Sequence, residues 1–120
     1  MLKLLSGKPR NVVAIEAVGH VEAADYKDVL EPAVAAALET GEKVRLLYVL
    51  GPEFDGLSPG AGWEDTKVGI GHWNSWERIA VVTDRDWISH AVRALAWMLP
   101  GEVGVFSIDA QDDATAWVSG

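Results

Sequence analysis

The side chains best equipped for chemistry gather in one short stretch: Trp63, Glu64, Asp65, Lys67, His72, Trp73 and Trp76. His72 offers an imidazole that titrates near neutrality and could serve as general acid or base, with Asp65 or Glu64 as its carboxylate partner. Asp65 and His72 are seven residues apart. On a continuous helix they would share a face but stand two turns from each other, too far to pair directly. No activated nucleophile accompanies them. The plainer reading is therefore favoured: the carboxylates lie on a solvated helix face, and His72 is a polar neighbour of packed tryptophans. A small-molecule hydrolase or isomerase using His72 and Asp65 stands as the rival to a binding role.

Other motifs narrow the field. His20, His72 and His90 are widely separated, with no HExxH pattern or pair at i, i+4, so no metal centre is expected. The glycines at 60, 62, 69 and 71 form neither GxGxxG nor a Walker A loop, which leaves a nucleotide phosphate site without a signature and implies no cofactor. Six tryptophans exceed what a minimal core needs, and Trp63, Trp73 and Trp76 fall close together. Indoles line apolar pockets while offering one N–H donor, and they also anchor protein interfaces. They equally fill the space beside small residues in a core. Trp87 and Trp117 are expected in the core. Ser58 before Pro59 reads as a helix N-cap.

Composition bounds the partners. A chain of 120 residues is one ordinary domain, and 49% hydrophobic against 23% charged residues gives it a core. Its 18 acidic and 10 basic side chains leave a net charge of -8, which opposes binding to nucleic acid or to an anionic membrane. The chain has no cysteine, which excludes disulfides and thiolate chemistry and fits a reducing cytoplasm. No leader pattern is seen, and no apolar run reaches the length that spans a bilayer, so a soluble cytoplasmic domain is expected.

The elements that must position these residues follow from periodicity. Leu2 to Leu5 and Val12 to Val18 read as a hairpin around Gly7, Lys8, Pro9 and Arg10. Glu22 to Thr40 has helical spacing, ends at Gly41, and should bend about a turn before Pro32. Val44 to Leu50 is apolar enough for a central strand covered on both faces, and Gly51 to Gly62 reads as the surface loop after it. A helix carrying Trp63, Thr66, Lys67, Ile70 and Trp73 follows, then a strand Arg78 to Thr83. Asp84 or Asp86 would cap a helix with Trp87, Ile88, Ala91, Leu95 and Met98 on its apolar side. A last strand, Glu102 to Ile108, and a short helix, Asp109 to Trp117, complete an α/β domain of order β-β-α-β-α-β-α-β-α. Its sheet should be mixed or mainly parallel.

Several short pieces together resemble the SpoIIAA-like group of STAS-type proteins, bacterial relatives of anti-sigma-factor antagonists that are also likened to CRAL-TRIO lipid-binding domains. They are Gly19-His20-Val21 leading to Asp25-Tyr26, the strand Val44 to Leu50, Phe54-Asp55-Gly56, Asp65 with Lys67, Arg78 to Val82, Trp87, and Ala116-Trp117. The resemblance spans almost the whole chain and implies a single STAS-like domain with a regulatory or apolar-ligand role and no catalytic centre. It makes Ser58 the nearest counterpart of the phosphorylated residue, although Leu57 stands where that family has an aspartate. The resulting expectation is a non-enzymatic module. It would recognise a protein partner or apolar small molecule through Phe54, Asp55, Trp63, Asp65, Lys67, His72, Trp73 and Trp76, with a possible homodimer through exposed tryptophan.

Overall fold

The computed structural model describes residues 1–5, 7–57, 76–95 and 101–120, with the backbone alone for Leu57 and Leu95. Ser58, Trp63, Asp65, Lys67, His72 and Trp73, together with the helix expected around them, lie outside the described residues.

Among the described residues five strands form one sheet in the order β1-β2-β3-β4-β5. Strand β1 (Leu2–Leu4) runs antiparallel to β2 (Val12–Val21), the expected hairpin. Strands β3 (Val44–Leu57), β4 (Trp76–Thr83) and β5 (Glu102–Phe106) extend the sheet in parallel. The fold is thus the mixed, mainly parallel α/β sheet that alternating strands and helices imply.

Between β2 and β3 the chain is helical without a break. A short α1 (Ala23–Asp25) passes through a π-helical turn (Tyr26–Leu30) into α2 (Glu31–Leu38). At its start the Glu22 N–H donates to Asp25 Oδ2 at 2.8 Å, which anchors the first turn. The widened turn falls directly before Pro32, whose missing N–H and bulky ring disrupt the bonding of the preceding turn; the Glu31 N–H reaches back to the Tyr26 carbonyl instead. The bend expected one turn ahead of the proline takes this form. Helix α3 (Asp86–Leu95) links β4 to β5, and a 3-10 turn (Ile108–Ala110) leads into α4 (Gln111–Ser119).

Side chains alternate between two cores, as the period of a strand requires. On one face Val13, Ile15, Val44, Leu50 and Val81 meet Tyr26, Leu30 and Val34 of the first helical segment and Ile88 of α3. On the other, Val12, Ala14, Leu47, Val49, Ala80 and Val82 meet Ala114 and Val118 of α4. Burial on both faces explains why Val44 to Leu50 is apolar at every position but Arg45. The Tyr26 and Tyr48 hydroxyls, 2.8 Å apart, satisfy one another between helix and sheet.

The structure corrects four expectations. Residues 51–57 are not loop but the second half of β3. Gly51, Pro52 and Glu53 bulge out opposite Val18, and the ladder then resumes as Gly19 with Phe54, His20 with Gly56 and Val21 with Leu57. Pro52 is tolerated because it sits in the bulge, where no ladder N–H is needed. Strand β4 begins at Trp76, ahead of the expected start at Arg78, and Trp76 is 5% exposed. Trp87 is no core residue: it is 66% exposed, because Ile88 and Val92 take the inward face of α3 and leave Trp87 and Ala91 outside. Asp84 serves a different helix from the one expected, its Oδ1 accepting the Ile108 N–H at 2.9 Å where the C-terminal helical segment begins.

Candidate functional site

Parallel strands that end together bring their carboxyl ends, and the segments leaving them, to one edge, the usual place for recognition in α/β sheets. Here that edge gathers Phe54 and Asp55 from β3, Thr83 to Asp86 after β4, and Ser107 after β5. Arg85 is its organiser. Its guanidinium lies 5.4 Å from the centre of the Phe54 ring and donates to the Phe54 carbonyl. Its own N–H bonds to Thr83 Oγ1 at 3.1 Å, and its carbonyl accepts the Ser89 N–H at 3.1 Å. Phe54 is 3% exposed, and the arginine forms a lid over its ring.

Beside this lid is a cavity of about 220 Å³ lined by Thr83, Asp84, Asp86, Ser89, Arg93 and Ser107, among others. It carries both signs of charge, with Asp55 exposed nearby. Among the described residues no hydrogen bond joins Ser89 or Ser107 to a histidine, and no three His, Asp or Glu side chains converge as metal ligands.

Of the sequence-predicted residues, Phe54 and Asp55 stand at this edge. Trp76 does not join them. It pairs in register with Val44 at the opposite end of β3, on the order of 25–30 Å from Phe54 at the rise of an extended strand. Its indole N–H is buried without a hydrogen-bond partner among the described residues. One small ligand therefore does not touch both Phe54 and Trp76. Arg85 and Ser107 escaped notice in the sequence because their meaning depends on strands distant in the chain. The hint was local only: Thr83-Asp84-Arg85-Asp86 places polar residues directly after a buried strand.

A second, apolar cavity lies elsewhere. About 320 Å³ in volume, it runs between the β1–β2 hairpin and α2, with Leu4, Leu5, Val12, Val13, Ala33 and Ala37 on its walls and Lys8 and Arg10 at its margin. Its signal in the sequence is weak, a run of alanines that makes α2 slender on that side. No helix among the described residues is long and apolar enough to cross a membrane.

A family model described as SpoIIAA-like matches residues 12–119. The chain is similar to the crystal structure of an uncharacterized protein of the DUF3478 family with a SpoIIAA-like fold from Shewanella loihica PV-4. The two share 27% sequence identity and a TM-score of 0.80, over 98% of this chain and 93% of that one. A search of the curated proteins finds no match.

Proposed function

The chain belongs to the SpoIIAA-like family, and on that premise we propose that it is a non-enzymatic binding or regulatory module that recognises a protein partner at the carboxyl edge of its parallel strands. The observation that carries this reading is the Arg85 lid. By closing over Phe54 it leaves a small cavity of mixed charge with Asp55 exposed close by, a surface suited to complementary polar contacts with another protein. A reducing cytoplasm suits the cysteine-free chain. Asp55→Arg and Ser107→Arg, each placing a long cation on an exposed position, are expected to weaken partner binding at least about tenfold, equivalent to ~1.4 kcal/mol. The check is titration of the partner purified with the parent protein against each variant, with circular dichroism to confirm the fold. Unchanged affinity in both would move recognition away from this edge.

The cavity between the hairpin and α2 favours a second reading, an apolar small molecule held there rather than near Trp76. Native mass spectrometry of freshly purified protein should then show a retained adduct that Ala37→Trp, which fills the cavity, eliminates. An adduct that survives Ala37→Trp would place the ligand elsewhere, and empty protein would leave the partner reading alone.

A further inference from the structure

Helix α3 turns Ile88 and Val92 toward the core, and beside the polar face opposite them runs an exposed apolar stripe. Trp87, Ala91 and Ala94 recur there at i, i+4 and i+7, all exposed, with Trp87 at 66%. Asp86, His90 and Arg93, also exposed, line one flank of this stripe. Among the described residues none of these three forms an ion pair or side-chain hydrogen bond.

The order of these residues is self-complementary about position 90. In an antiparallel pair, Asp86 opposite Arg93 and Trp87 opposite Ala94 have their midpoints at 89.5 and 90.5, on either side of His90. We propose that two copies of the chain associate through α3, antiparallel about a two-fold axis at His90, each Trp87 lying on the partner's Ala91 and Ala94 and each Asp86 facing the partner's Arg93. In an antiparallel pair the same flank of each helix meets its equivalent, so both charge pairs form at once. Alanines at 91 and 94 let the helix axes approach to about 8 Å and leave room for the indole. Charge selects this face for a second copy. The chain as a whole carries -8, which repels its like, whereas Asp86 and Arg93 cancel within the stripe.

The area sets the strength. Two indoles burying roughly 150–200 Å² each, with their receiving surfaces, amount to less than about 1,200 Å² in total, the range of weak, transient contacts. The dimer is therefore concentration-dependent, forming at about 10–500 μM. This inference does not rest on the partner reading above; Asp86 and Arg93 also line the cavity of that reading, so Trp87→Ala, which lies outside it, tells the two apart.

Sedimentation equilibrium of the full chain from 5 μM to 1 mM tests it. The parent should pass from monomer to dimer. Trp87→Ala should weaken association at least about tenfold, since a central tryptophan dominates a small interface. Asp86→Arg and Arg93→Asp should each weaken it by roughly five- to tenfold, turning two attractive pairs repulsive. The double variant D86R/R93D, with both signs exchanged, should recover most of the parent affinity. A monomer throughout the concentration range overturns the proposal. So does a dimer indifferent to Trp87→Ala, or one that the double charge exchange fails to restore.

Discussion

Gly101→Ala is expected to destabilise the protein by about 3–5 kcal/mol, enough to lower its melting temperature by roughly 10–20 °C. Gly101 has φ of +74°, a conformation that costs an L-residue about 1–2 kcal/mol. The larger penalty is spatial. A Cβ at this position would fall on the backbone of Glu77, with the carbonyl carbon at 2.6 Å and Cα at 3.0 Å. Backbone cannot swing aside as a flexible side chain can, so the start of β5 would have to part from β4, where Arg78 pairs with Glu102. Gly41 supplies the control, because its φ of +79° is nearly the same but a Cβ there meets nothing within 4 Å. Gly41→Ala should therefore lose only the conformational part. Thermal or urea unfolding of the two variants separates the terms, and equal losses would show that contact with Glu77 contributes nothing.

Much of the fold was legible because single-strand and single-helix periodicities carry it. The apolar run at 44–50 announces a buried strand whatever its neighbours, and the first helix is written at i, i+3 and i+4 from Tyr26 onward. What escaped depends on pairing across the chain. Gly51, Pro52 and Gly56 have the composition of a loop, yet residues 54–57 find a partner in Gly19 to Val21, and that partner overrides local preference. Trp87 was misplaced for a related reason. Trp87 and Ile88 are adjacent and both apolar, so two helix phases fit the sequence, and only the packing of α3 selects Ile88 and Val92 for the core.

The candidate site was less legible than the fold. Phe54 and Asp55 stand out in the sequence as a piece of the family resemblance, in a segment read as the loop after a central strand. Trp76 was grouped with them by closeness to Trp73 in the chain, but β4 begins at Trp76 and carries it to the far end of the sheet. Arg85 offered no periodic signal, since its role over Phe54 exists only once β3 and β4 lie side by side. The two strand arginines were the missed clue. Arg45 interrupts an otherwise apolar run and Arg78, after Glu77, opens one, and a charge in a buried strand demands partners that the sequence does not name.

Those partners are at the end of α4, and removing both arginines is the second substitution with a large expected effect. Arg45 and Arg78 are paired in register on adjacent strands, like charges side by side. The C-terminus of α4 makes the arrangement stable. Arg45 Nη1 donates to the Val118 carbonyl at 3.0 Å and Arg78 Nη1 to the Trp117 carbonyl at 2.7 Å, two acceptors left over at the helix end, where the dipole also favours cations. Glu77 takes the Nε of Arg45 at 2.6 Å, and the Arg78 guanidinium lies 5.5 Å from the centre of the Trp117 ring. A helix as short as α4 does not persist without such docking. Arg45→Met/Arg78→Met keeps much of the apolar stem and removes only charge and donors. It is expected to cost about 3 kcal/mol, less than the two single losses added together if each arginine holds α4 for the other. Hydrogen exchange gives the decisive readout: amides of residues 111–119 should lose protection while those of β2 and β3 keep theirs. Protection retained across α4 in the double variant would mean that Ala114, Trp117 and Val118 hold the helix by apolar packing alone, and that the arginines merely lie beside it.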